Sequence, residues 1–274
     1  MNPFSQLAPN GEQIFPEGII LHRQGGVLKL TIDRINDLNR LMPEVLLRIE
    51  SITQNLQQDS QTQVLIITGQ GEEFFSMGIM NPVIRASYSK DQVLQLVQLA
   101  NRTFDAVEAL PQIVIAAMNG KALAGAVELS LACDLRYAAS HATLCMPEAK
   151  WGGFPGGGGP VRLPQIVGRA RAIDLICSAR EISTEQMQEY GLIQGVYPSS
   201  QLQTEVLEIA TTMASHGPLA IRGAKRIIDT RQAPGFRPAR ELADTLRRHL
   251  EYSHDVDEGL IAHRDNRTPH FIGK

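Results

Sequence analysis

QIVIAAMNGKALAGAVELSLACDLRYAASHATLCM, residues 112–146, carries the decision about the fold. QIVIAAM is an unbroken apolar run of strand length, and a run without alternation marks a strand covered on both faces. Asn119-Gly120 is a turn signal, AGAVELSLACD has the pattern of a short helix, and DLRYAA and ATLCM are two more strands. Strand, strand and helix follow one another at short spacing, which is the signature of an α/β core. Within that helix Glu128 demands a reason. A carboxylate buried without partners costs several kcal/mol or shifts its pKa instead.

The pattern extends outward in both directions. IILHRQGGVLKLTID reads as two strands joined at Gln24-Gly25-Gly26, a hairpin signal. MPEVLLRIESITQNL places Val45, Leu46, Ile49, Ile52 and Leu56 on one helical face, and QVLIITG is a second doubly buried strand. DQVLQLVQLANRTFDAVEAL is a long helix that Pro111 stops. From Pro160 onward helical patterns dominate, with RARAIDLICSA, TEQMQEYG, QTEVLEIATTMAS, PLAIRGAKRIID and ARELADTLRRHLEYS. Residues 1–200 are therefore expected to form the α/β core and residues 201–274 a helical extension of the same folding unit.

Composition narrows the function. With 274 residues and 43% hydrophobic content the chain can bury a large core. A formal net charge of −3 gives no electrostatic case for nucleic acid or an anionic membrane. Cys133, Cys145 and Cys177 fit neither a disulfide framework nor a zinc site, so a reducing, cytoplasmic setting is expected. MNPFSQLAPNGEQIF holds no basic region followed by an apolar run, and no later stretch has the length of a membrane span. Secretion and membrane insertion are not expected, and metabolite chemistry is.

Three places have the makings of a site. VLIITGQGEEFFSMGIM is a buried strand running into a loop at Gly78, where ligands bind in open α/β sheets. The helix beginning near Gly125 offers amides without internal partners at the positive end of its dipole, able to stabilise a developing oxyanion, with Glu128 one turn on. CMPEAKWGGFPGGGGPVRLP sets Glu148 before a glycine-dense loop that lacks the phosphate-loop pattern. Each has an ordinary alternative: a plain loop, a carboxylate complementing the dipole, a surface charge.

Taken together, these three places resemble the enoyl-CoA hydratase/isomerase, or crotonase, family. The resemblance is strongest over residues 112–196 and includes the closing DVDEGLIAHRDNRTPHF. It implies a spiral of ββα units with a helical C-terminal trimerisation region, acting on acyl-CoA thioesters. Coenzyme A would then be part of the substrate, with no separate cofactor or metal, and the assembly a homotrimer or hexamer. By position, the oxyanion hole falls on the amides of Ile79 and Gly125 and the two catalytic carboxylates on Glu128 and Glu148. Met77, Gly78, Met80 and Trp151 are expected to bind substrate, Met77 and Ile79 making a bulky apolar wall. Both glutamates together favour a hydratase over a double-bond isomerase or thioester hydrolase on the same scaffold, and over a non-catalytic binding protein.

Other residues carry less. Arg264, Arg267 and Lys274 are cations within reach of the closing motif for a CoA phosphate. His249, His254, His263 and His270 do not have the spacing of a metal site.

Overall fold

The computed structural model describes residues 10–232 and 236–269. The chain opens with three antiparallel strands, β1 (Glu12–Phe15), β2 (Ile19–Gln24) and β3 (Val27–Ile32), the last two joined by the expected glycine hairpin. Helix α1 (Pro43–Leu56) follows, with Val45, Leu46, Ile49, Ile52 and Leu56 all buried. Then the ββα rhythm begins. β4 (Val64–Gly69) is followed by β5 (Phe74–Ser76), α2 (Pro82–Arg85) and α3 (Lys90–Glu108). β6 (Ile113–Met118) leads to β7 (Lys121–Leu123) and α4 (Gly125–Leu131). β8 (Leu135–Ala139) leads to β9 (Thr143–Cys145), a single turn of 3-10 helix at Glu148–Trp151, then α5 (Gly159–Val167) and α6 (Arg169–Ser178).

Within each turn of this spiral the two strands enter different sheets. The first member of each pair joins a seven-stranded sheet in the order β1-β2-β3-β4-β6-β8-β11, parallel from β3 onward. The second joins a four-stranded sheet in the order β10-β9-β7-β5. β10 (Ile182–Ser183), α7 (Thr184–Glu189) and β11 (Gly195–Tyr197) complete both sheets. Helices α8 (Ser199–Ala214), α9 (Pro218–Gln232), α10 (Phe236–Glu251) and α11 (His254–Arg264) follow. α8 begins at the boundary drawn near residue 200 and buries Leu202, Val206 and Ala210, which belong to the main core cluster.

The continuous apolar runs explain the parallel strands. Every residue of β4 is buried, and Ile67 stands in register between Leu30 of β3 and Ala116 of β6. A fully buried aliphatic side chain of this kind contributes roughly 1.5–3 kcal/mol relative to exposure. The short strands β5, β7, β10 and β11 have two or three residues each and show no periodicity of their own. Lys121–Leu123, between the Asn119-Gly120 turn and the helix read from the sequence, is one of them. It pairs with both β5 and β9.

The crossing from one sheet to the other is tied by two asparagines. Asn119, buried after β6, accepts from the Gly69 amide at 2.9 Å and donates to the Gly71 and Phe74 carbonyls at 2.8 and 3.0 Å. Asn39 donates to the Gln70 and Phe74 carbonyls, both at 2.9 Å. Backbone pairs hold the two ends of this bend, from the Gln70 amide to the Ile32 carbonyl and from the Lys121 amide to the Glu73 carbonyl, and these side chains supply hydrogen bonds to the peptide groups between. Among the described residues no helix is long and apolar enough to cross a membrane.

Replacing Asn119 by Ala strips the buried Gly69 amide and the Gly71 carbonyl of their partner, while the Phe74 carbonyl keeps Asn39. At about 1–3 kcal/mol for a buried polar group left unsatisfied, urea denaturation is expected to register a loss of roughly 1–3 kcal/mol for Asn119→Ala. A loss below about 1 kcal/mol would mean that the crossing is held by something else.

Candidate active site

The loop after β5 and the start of α4 are brought into contact by a glycine. Gly78 has φ +74°, and a Cβ built on it would fall 2.5 Å from the Leu123 carbonyl oxygen and 3.0 Å from the Gly125 nitrogen. No side chain fits there, and so the Ile79 and Gly125 backbones approach each other. A Cβ on Gly125 would lie 3.5 Å from the Ile79 nitrogen. Gly125 is the first residue of α4, where an amide has no intrahelical acceptor. Neither the Gly125 nor the Ile79 amide donates to any group among the described residues.

The turn that aims the Gly125 amide is strained. Ala124 has φ +53° and ψ −122°, a conformation that L residues rarely adopt, and its own amide is fixed by the Cys145 carbonyl at 2.9 Å. Backbone strain of this kind costs about 1–3 kcal/mol and persists only where the surroundings over-determine it. β7, pairing with β9 just upstream, supplies that constraint.

Both glutamates and both amides line one cavity of about 100 Å³. Helix α4 is buried on every side, and Glu128 with it, at 2% exposure. Its Oε1 accepts from the Gly159 amide at 2.8 Å. Gly159 is the first residue of α5, so the glycine-dense stretch delivers a helix N-terminus to the carboxylate, where the dipole favours negative charge. Behind it Arg162 donates to the Gly157 carbonyl at 3.1 Å and to Asp105 and Glu108 of α3 at 2.6 and 2.8 Å. Burial nonetheless dominates. It raises the Glu128 pKa above the ordinary carboxylate range, with the Gly159 amide and the Arg162 and Arg240 charges opposing it.

Glu148 opens the 3-10 turn after β9, and its Oε2 is buried without a hydrogen-bond partner among the described residues. Its pKa is raised first by desolvation and then by the neighbouring Glu128 carboxylate. Two carboxyls that each resist ionisation, and resist it more together, are the arrangement in which one stays protonated near neutral pH while the other serves as base.

Met80 and Trp151 line the same cavity as Ile79, Gly125, Glu128 and Glu148. Met77 and Gly78 do not: Met77 is tied to the Leu38 and Arg40 backbone and side chain, and Gly78 acts by allowing close approach. Arg264 pairs with Asp265 and Arg267 with Glu258, while Lys274 and His270 lie outside the described residues. No group of three His, Cys, Asp or Glu side chains among the described residues is placed to hold a metal. The sequence reading missed Arg85, Phe154, Arg247, Val256 and Leu260, all of which line the cavity. Arg247 sits in ARELADTLRRHLEYS, whose charges look in sequence like the solvated face of an amphipathic helix.

A model of the enoyl-CoA hydratase/isomerase family matches residues 22–274, and the chain belongs to that family. It is 32% identical, over 94% of its length and 99% of the relative's, to the crotonyl-CoA hydratase of Syntrophomonas wolfei. To the short-chain-enoyl-CoA hydratase of Clostridium acetobutylicum it is 33% identical, over 77% of this chain and 80% of that one. The crystal structure of an enoyl-CoA hydratase from Bacillus anthracis superimposes with a TM-score of 0.76 at 36% identity, covering 94% of this chain and all of the other. The crotonase-like spiral expected from residues 112–196 is thus the fold, with its helical C-terminal part present.

Two predictions follow from this geometry. A Cβ on Gly157 would stand 2.7 Å from Glu128 Oε2 and 3.0 Å from the Phe104 ring. Gly157→Ala must therefore displace the carboxylate, and a loss of at least roughly tenfold in turnover is expected even where the protein stays folded by circular dichroism, because misplacements of about 1 Å carry penalties of that order or larger. The second concerns pH. A carboxyl whose folded pKa is raised binds more protons folded than unfolded, so its contribution to stability falls as pH rises from the unfolded carboxylate range toward the raised folded value. Glu148→Gln removes that loss, and the difference in melting temperature between the variant and the wild type should grow in the variant's favour from acidic to mildly alkaline pH. A difference that shrinks with rising pH would contradict the raised pKa.

Proposed function

We propose that this protein is an enoyl-CoA hydratase that adds water across the α,β double bond of an acyl-CoA thioester. The observation that carries the reading is the convergence of two unpartnered amides, Ile79 and Gly125, and two pKa-raised carboxyls, Glu128 and Glu148, on one cavity. The thioester carbonyl oxygen accepts from the two amides, each donor contributing about 3 kcal/mol to the enolate-like charge that develops there. Water held between the carboxyls loses a proton to one of them as its oxygen bonds to Cβ. The other carboxyl delivers a proton to Cα, so the product is the β-hydroxyacyl thioester and no net proton is consumed. Acid-base assistance of this kind is worth about 100-fold to 10,000-fold.

The names of the relatives from Syntrophomonas wolfei and Clostridium acetobutylicum, a crotonyl-CoA and a short-chain-enoyl-CoA hydratase, point the same way. So does the small cavity, below the roughly 300–1,000 Å³ usual for drug-sized ligands. A homotrimer or hexamer in the cytoplasm, acting in acyl-CoA metabolism without a separate cofactor, belongs to the same reading. The apolar residues Leu219, Ile227 and Ile228 left exposed on α9 support assembly.

The test is the loss of conjugated-thioester absorbance when the protein meets crotonyl-CoA. Turnover is expected in the wild type, with a fall of at least about 100-fold for Glu128→Gln and for Glu148→Gln. Turnover should also decline at alkaline pH, as the carboxyl that must donate a proton ionises. Variants as active as the wild type would overturn the two-carboxylate mechanism, and an inert wild type would overturn the hydratase reading.

A further inference from the structure

A cavity built for a plain alkyl chain has no use for guanidinium groups, yet two line this one. Arg85 projects from the end of α2 and Arg247 from α10, and each side chain is only 11% exposed. Both pair with a single carboxylate, the fully buried Glu251, which meets Arg247 Nη2 at 3.0 Å. Asp257, whose charge also acts on Arg85, is paired with Lys90 at 2.9 Å. Two buried positive charges thus share one dedicated counter-ion. The Nε of each arginine is buried and has no hydrogen-bond partner among the described residues.

The position of Arg247 is equally informative. It lies along the glycine loop, where a Cβ on Gly153 would be 3.5 Å from its Nη1 and one on Gly156 would be 3.5 Å from its Nε. No side chain at those two positions separates the guanidinium from the cavity. Burial, and after it repulsion from Arg85, lower its pKa to about 10 against the attraction of Glu148 and Glu128. Those two glutamates are committed to Cα and Cβ of the substrate. With the carbonyl at the Ile79 and Gly125 amides and the reacting carbons at the glutamates, the rest of the acyl chain runs against the remaining walls: Met80, Val97, Phe154, Val256 and Leu260, and the two arginines.

On the hydratase reading above, we infer that the acyl group this enzyme takes is short and ends in a carboxylate, which the Arg247 and Arg85 guanidiniums receive. The planar fork of arginine matches a carboxylate with two parallel, charge-assisted hydrogen bonds. The apolar residues between pack the intervening methylenes. A methyl-ended chain of equal length offers the guanidinium donors that line the cavity no acceptor, and a site built for a polar group discriminates strongly against an analogue that lacks it.

The experiment compares trans-hex-2-enedioyl-CoA, attached through one carboxyl and free at the other, with trans-hex-2-enoyl-CoA. The wild type should show a kcat/KM at least roughly tenfold higher for the carboxylate-ended substrate, a modest share of what such discrimination reaches. Arg247→Met should collapse that preference toward parity, and Arg247→Lys, which keeps the charge and loses the fork, should retain part of it. Equal turnover of the two substrates, or preference for the methyl-ended one, overturns the inference and leaves the hydratase reading standing. A preference that Arg247→Met and Arg85→Met both leave intact overturns it too. If neither substrate is hydrated, the hydratase reading fails, and binding decides the inference separately by calorimetry. Adipyl-CoA binding at least roughly tenfold more tightly than hexanoyl-CoA supports the arginine site, and equal affinities sink it.

Discussion

The carboxylate of Glu128 is the constraint around which the rest is arranged. It stands in a helix with no exposed face, so bulk water does not solvate it, and its hydrogen bond comes from a backbone amide. Its partner is the first amide of another helix, and that amide reaches it because the chain around residues 157–159 has no side chains. The ion pairs of Arg162 and Arg240 with Asp105 fix the loop from behind without neutralising the carboxyl outright. This leaves the group in a state that bulk water does not allow, in which protonated and ionised forms compete near neutrality. Chemistry that passes protons in both directions needs that competition.

The two-sheet spiral explains how such different groups meet. Each ββα turn sends its first strand to the large sheet and its second to the small one, and functional groups appear where the chain leaves the second strand: Ile79 after β5, Gly125 after β7, Glu148 after β9. Because β5, β7 and β9 lie side by side, those three exits are neighbours in space although they are far apart in sequence. The position of the site is a property of strand order, and the kind of chemistry depends on which residue occupies each exit.

Much of this was legible beforehand, and the reasons differ by element. The long strands and helices announced themselves because their burial is periodic or continuous, as in β4, β6 and α3. Of the small sheet only β9 showed itself, within ATLCM, while β5, β7 and β10 did not, since two or three residues cannot display a period and their pairing is non-local. Glu128 stood out because a charge in an apolar helix is anomalous in one dimension as well as three. Arg247 and Glu251 did not, because a helix rich in charges reads as a solvated one until its packing is known. Met77 was expected to shape the pocket from its place next to Gly78, whereas its neighbours Ile79 and Met80 are the residues of this loop that line the cavity.

The far wall of the cavity comes from the last helices, through Arg247 of α10 and Val256 and Leu260 of α11, while the amides and glutamates all precede residue 150. The strand exits and the facing wall are thus separate stretches of one chain, and the residues of that wall can change while the exits that carry the amides and glutamates keep their places in the small sheet.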